Sequence, residues 1–365
     1  LEALEKASGD IPKGCMPMYA AQILMDTLDT ALENYTDVDN GYDDKFGYYV
    51  KYLRAMVPVA ISNFVSLNKG EGPGNKYFQC RWAMPGKQKG EYQSCPIINT
   101  SEQVYIEYKL IDEDGFFKEL QSKYGISKDW VEFRTYYRDV PACPPFTGIG
   151  PPPICTHPHY QYENFPMAKD DFTIPNPKDS IKDALPRFQQ LQLDLTATWG
   201  DLSFFLWDGD DDDAVAALSM PVFMLLQAVD SMATVKQIGE EEKEHEEEAK
   251  RNLILIILSA VLLILPFAGE VVGAVTGIAW VADAAAIADI SASIALAGYD
   301  IVKDPKSAPM ELLNILFAGA GRTAKNFSKA ADVRRGIKAG ELAKFGSVFK
   351  ENDEALQSLI RFCKK

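Results

Sequence analysis

The chain falls into segments with different apolar rhythms. In "MYAAQILMDTLDTALENY" (18–35) and "FGYYVKYLRAMVPVAISNFV" (46–65) apolar residues recur every three or four positions, which predicts two helices. Pro58 is expected to kink or end the second, because proline lacks the amide hydrogen and clashes with the preceding turn. "KGEGPGN" (69–75) then breaks the pattern. "KYFQCRW" (76–82) and "QVYIEYKL" (103–110) are short, aromatic and β-branched, and predict strands. "DGFFKELQSKYG" (114–125) and "SKDWVEFRTYY" (127–137) read as helices, the second with Ser127 as its N-cap. "PACPPFTGIGPPPICTHPHY" (141–160) is a loop, since its prolines fix φ and remove donors.

After the Pro-rich "DFTIPNPKD" (171–179) the pattern turns all-helical. "KDSIKDALPRFQQLQLDLTATW" (178–199) is amphipathic, and "AVAALSMPVFMLLQAVDSMATVKQI" (214–238) leads through an acidic run into the most apolar stretch of the chain. That stretch, "RNLILIILSAVLLILPFAGEVVGAVTGIAWVADAAAIADI" (251–290), opens with seventeen residues free of charge, 253–269. As helix they measure about 25 Å, just short of a hydrocarbon core of about 30 Å. "PFAGE" interrupts it at Pro266, Gly269 and Glu270, and Asp283 and Asp289 punctuate the continuation. The pattern predicts a helical hairpin, 253–300, apolar on nearly all faces, packed inside amphipathic helices in the resting protein and competent for lipid once its acids are neutralised. The expected fold class is therefore α+β and predominantly α. A disulfide-stapled α+β domain spans 1–175, and a helical domain spans 176–365.

Charge refines this picture. The net charge of −15 opposes nucleic-acid binding. Residues 322–365 carry eleven Lys/Arg against five Asp/Glu, a net +6, which leaves −21 on the remainder. Such a basic tail docks internally or touches an anionic surface. Hydrophobic content of 47% and 24% charged residues are ordinary globular values.

Six cysteines, Cys15, Cys80, Cys95, Cys143, Cys155 and Cys363, suit three disulfides and an oxidising compartment. Cys80 with Cys95, and Cys143 with Cys155, each bracket a loop, and both pairs are expected to be bridged. Cys363 closes onto Cys15 or links to another chain. Sequons at Asn34, Asn99 and Asn326 add to the secretory reading. The opening "LEALEKASGD" has no signal-peptide pattern, so the sequence fits a processed piece of a secreted precursor.

Candidate chemistry is sparse. "FFLWDGDDDDAVAA" superficially matches the D-G-x-D-x-D-x-E strand end of family 18 chitinases at Asp208, Gly209, Asp211 and Asp213, but Val215 occupies the place of the acid glutamate. It also fails as a calcium loop, with Asp213 at the glycine position and Ser219 at the closing glutamate. A solvated acidic turn ahead of a helix remains. His157 and His159 could ligate a metal, but His245 sits in a charge run and no carboxylate completes a three-ligand site, so a Pro-rich surface loop is the reading; "GEGPG" lacks the Lys-Ser/Thr of a phosphate loop. No catalytic, cofactor or metal residue is assigned.

The segments "NLILIILSAVLLILPFAGEVVGAVTGIAW", "GYDIVKDPKSAPMELLNILFAGAGR" and "AADVRRGIKAGELAKFG" resemble the C-terminal region of fungal killer-toxin-like chitinases, secreted precursors of glycoside hydrolase family 18. "GFFKELQSKYGISKDWVEF", "IPNPKDSIKDAL" and "MPVFMLLQAVDSM" carry the likeness back to about Gly115. In that family the chitin-binding and chitinase modules lie upstream. The resemblance implies a secreted, non-catalytic module that helps deliver a toxic part across a membrane. Membrane lipid and the upstream modules are its implied partners. The other readings are a binding or assembly module that never enters lipid, and a glycan-active enzyme with an unrecognised site.

Overall fold

The computed structural model describes residues 16–65, 72–97, 104–139, 159–244, 313–314, 316, 322–337, 342 and 345–363. These form two compact units, one of residues 50–174, the other of residues up to 49 together with those from 175 onward. The fold is α+β and predominantly helical, as the periodicity predicts.

The helical unit contains α1 (Met16–Asp39), the start of α2 (Tyr42–Phe64), the short α4 (Asp179–Lys182), α5 (Leu185–Ser203), α6 (Asp211–Glu244), α7 (Ala324–Gly336) and α8 (Ser347–Cys363). α6 is central. α1, α7 and α8 pack on it, and α1 also packs on α5. Leu218, Val222, Phe223, Met224 and Leu225 have no exposed surface, so α6 is apolar all round and must sit inside protein or lipid. It is long and apolar enough to cross a membrane, yet 89% of its most apolar window is buried within the protein. Asp210 starts the helix, its carboxylate accepting from the backbone N–H of Asp212 and of Asp213. This is the acidic turn expected from "DGDDDD". Gln227 leaves α6 sideways and accepts from the backbone N–H of Val348 and of Phe349, capping the start of α8. Gly346 (φ +100°) precedes that cap, and a Cβ there would collide with Gln227.

α1 departs from the expected grouping. The sequence placed it with the α+β half, but its stripe of Ala21, Leu24, Leu28 and Ala31 is fully buried on the helical side of the chain. A helix is sorted by where its apolar stripe finds a partner, and periodicity does not name that partner. Three arginines of the basic tail dock internally. Arg322 pairs with Asp201 at 2.6 Å, Arg335 with Asp213 and Asp332, and Arg334 with the fully buried Asp353.

The α/β unit carries the rest of α2, the strands β1 (Phe78–Ala83), β2 (Gln93–Ser94), β3 (Val104–Leu110), β4 (Val131–Asp139) and β5 (His159–Ala168), and helix α3 (Glu113–Tyr124). The sheet order is β2-β1-β3-β5-β4, antiparallel except for the β3–β5 pair. Asp112 caps α3 through its carboxylate on the Gly115 N–H, and Gly125 ends it in the left-handed region. α2 does not end at Pro58. The proline sits on the exposed side of the helix, where water can take the freed carbonyl.

One element changes type. Ser127 caps only a single turn, Lys128–Trp130, and the expected helix beyond it is β4. Val131 to Arg138 contains β-branched and aromatic residues that pair edge-on with β5, and that pairing outweighs a weak helical spacing.

Candidate functional site

A bulge shapes the α/β unit's main cleft. Arg134 pairs with Phe165 and Tyr136 with Tyr162, so Thr135 faces both Glu163 and Asn164. Asn164 takes φ +52°, a conformation that asparagine tolerates better than most side chains. The extra residue keeps Tyr160, Tyr162 and Phe165 on one face, although strict alternation would have turned Phe165 away. There Tyr136 stacks on both Tyr162 and Phe165, with ring centroids 5.9 and 5.6 Å apart.

The second half of α2 lies across this aromatic floor and leaves a cleft of about 530 Å³. Pro58 and Val59 form one wall, with Ser62 and Asn63 beside them; Tyr136, Phe165 and Phe172 form the other. Its rim is charged but compensated. Arg134 makes a bidentate pair with Asp170 (2.9 and 3.1 Å) and a 3.0 Å contact with Glu132, while Arg54 reaches Asp171 at 3.0 Å. The Arg134 guanidinium holds the Asp170 carboxyl below the usual carboxylate range. Lys169 adds an ammonium with no ion-pair partner among the described residues. A cavity of this size, apolar inside with a few polar groups at the rim, is the usual form of a small-ligand site, about 300–1,000 Å³.

The opposite face of the sheet is polar. Glu107 accepts from Arg81 (2.9 and 3.0 Å), Lys89 (2.8 Å) and Tyr92 (2.7 Å), and Lys89 bridges on to Glu163 at 2.5 Å. Hydrogen bonds from Lys89, and then from Tyr92 and Arg81, outweigh desolvation and push the Glu107 carboxyl down to about 2. Lys89 and Tyr92 lie in the loop closed by the Cys80–Cys95 disulfide, so this network pins the loop to the sheet.

The residues singled out in the sequence are not gathered at one place. Cys80–Cys95 is bridged as expected. Cys15, Cys143 and Cys155 lie outside the described residues, and Cys363 ends α8. The hairpin and its Pro266, Gly269, Glu270, Asp283 and Asp289 also lie outside them, as do Asn99, His157 and His245. Asn34 is exposed on α1, whereas Asn326 is half-buried on α7 and donates to the Leu316 carbonyl. His159 opens β5, and no group of three metal-ligating side chains occurs among the described residues. Val215 is buried in the second turn of α6. The cleft itself was missed, because its walls come from residues 54–63 and 134–172; its one local cue is the "ENFP" that makes the bulge.

A family model described as the LysM11 alpha/beta domain matches residues 51–170, and one described as the LysM11 C-terminal domain matches residues 177–364. A Penicillium expansum protein described as a probable chitinase LysM11 is 34% identical over 384 residues, an alignment covering 100% of this chain and 34% of that protein. The chain thus spans about a third of the length of this curated relative. No solved structure matches. The cleft-bearing unit and the helical unit correspond to those two matched regions, and the chain belongs to the fungal, chitinase-associated LysM11 family.

Proposed function

We propose that this chain is a non-catalytic binding module of a secreted fungal chitinase-like protein, and that the cleft between α2 and β4–β5 holds an uncharged oligosaccharide. The cleft is the observation that carries this reading. Sugar rings present a C–H face that packs on aromatic rings such as Tyr136 and Phe165, and hydroxyls that meet paired, planar groups such as Arg134 and Asp170. With Arg134 and Arg54 already paired to Asp170 and Asp171, Lys169 alone among the described residues adds unmatched charge at the rim, too little to favour a phosphate or a polyacid over a neutral ligand. The name of the Penicillium relative makes β-linked N-acetylglucosamine oligomers the first to try. Calorimetric titration should show binding without release of shorter products. Tyr136→Ala and Arg134→Ala should each weaken it by about tenfold or more, with the circular dichroism spectrum unchanged. Absence of binding by any neutral glycan would remove the reading, and hydrolysis would replace it with an enzymatic one.

A second reading rests on the apolar run 253–300. It makes the helical unit a membrane-delivery device, with lipid, the upstream modules and a chain linked through Cys363 as partners. Leakage from dye-loaded liposomes should then strengthen as pH falls and neutralises Glu270, Asp283 and Asp289. Glu270→Lys should block it. No leakage at any pH with neutral or anionic lipid would leave only the binding module.

A further inference from the structure

One stripe on the outward side of α5 is apolar, flanked by exposed Gln189, Gln190 and Thr196. Leu193, Ala197, Gly200 and Phe204 follow one another at intervals of four, three and four residues, which places them in one stripe. Leu193 is 65% exposed and Phe204 74%. Ala197 is exposed as well, and a Cβ added at Gly200 would meet nothing within 4 Å. Just past the helix end, Phe205 and Leu206 are 77% and 69% exposed. Phe205 is held at φ +56°, an outlier for a bulky side chain. The turn is nonetheless fixed, because the N–H groups of Phe204, Phe205 and Leu206 donate to the carbonyls of Gly200, Leu202 and Asp201. Strain maintained to keep apolar side chains in water is the mark of a surface kept for contact.

The stripe reads the same from both ends: large, small, small, large. A two-fold axis midway between Ala197 and Gly200 would set Leu193 of one copy against Phe204 of the other, with the small pair at the crossing where backbones approach closely. The ends of the helix differ in charge. Around its start the exposed cations Lys182 and Arg187 outnumber the exposed Asp183, and exposed Asp208 and Asp210 follow its end. Antiparallel pairing brings each basic end to the other copy's acidic end, whereas parallel pairing sets like against like. We propose that α5 pairs antiparallel with α5 of a second copy of this chain, forming a two-fold dimer through Leu193, Ala197, Gly200 and Phe204.

Sedimentation equilibrium of the full chain should show a monomer–dimer exchange. Gly200→Leu has room within one copy but fills the crossing, and should raise the dissociation constant by about tenfold or more, as should Leu193→Glu. Both should keep the parent's helical signal, and its melting temperature at concentrations where the parent is monomeric. Arg187→Glu should weaken pairing most at low salt. Tyr137→Ala, at another exposed site, should leave it unchanged. A chain that stays monomeric at every concentration, or a dimer indifferent to both stripe substitutions, overturns the proposal. So does a monomer that instead sediments with phosphatidylcholine vesicles and is released by Leu193→Glu, which would make the stripe a lipid contact.

Discussion

In the α/β unit, carboxylates sit among cations: Glu107 with Arg81 and Lys89, Glu119 with Lys76 and Lys123, Asp170 with Arg134. The helical unit has ion pairs of its own, such as Arg322–Asp201 and Arg335–Asp213, but there apolar side chains enclose α6 and a few partly buried acids are held above their usual range. Burial, followed by the charges of Asp210 and Asp212, holds the Asp211 carboxyl above its usual range. Burial does the same to Asp194. One unit is tied together by matched charge around a small aromatic core. The other tolerates unfavourable charge because its apolar burial is large.

The greatest difference should appear when a charge is removed from the apolar unit. Arg334 is the one described partner of Asp353, which has no exposed surface. Arg334→Leu strands that carboxylate and should cost roughly 3–5 kcal/mol, read as a lower denaturant midpoint. Hydrogen exchange should accelerate in α6, α7 and α8, with the strands little changed. Equal acceleration in both units would mean that they do not unfold separately.

The matched breakage in the α/β unit is the disulfide. Replacing Cys80 and Cys95 by alanine reopens a loop of 15 residues and should cost about 3 kcal/mol, confined to the strands. Loss of protection in α6 instead would dissolve the contrast.

The smallest expected effect, and the sharpest in sign, is acid. Glu107 and Glu119 are both held at about 2 against an ordinary 4.5, so their contribution is complete above pH 4.5 and is lost as pH falls towards 2. Glu119 owes this first to Lys123, then to Lys76 and Tyr77. Asp194 and Asp211, raised above 3.8, act the other way: their charge opposes folding at neutral pH, and the penalty fades as they protonate. Protection factors, the exchange rates corrected for the intrinsic pH dependence, followed from pH 5 to pH 2 should therefore fall in β1 and β3 before they fall in α5 and α6. Glu107→Gln should flatten the response of the strands. A simultaneous loss in both units would refute the assignment.

Much of this was legible in the sequence. β1, β3, α3 and a helix over 214–238 follow from local rhythm, and Cys80–Cys95 from the loop they bracket. What stayed hidden depended on partners. β4 reads as helix until β5 is beside it, since "VEFRTYY" carries too few aliphatic residues to declare its period. The apolar run 253–300 drew attention as the centre of the helical unit, yet among the described residues α6 fills that place, with the same all-round burial and a less conspicuous composition. The cleft needs Arg54 and Arg134 together, and no local pattern links residues so far apart.

The placement of α1 also bears on how the protein is made. Its buried stripe is synthesised before the helices that cover it: α5 begins only at Leu185, with the whole α/β unit made in between. At about 5–20 residues per second that is a delay of roughly 7–30 s. The strands have local neighbours and can close during this interval, while Leu24 and Leu28 wait in water for helices not yet translated. α1 therefore stays open to aggregation until α5 and α6 have been made, and it is where a chaperone would need to act.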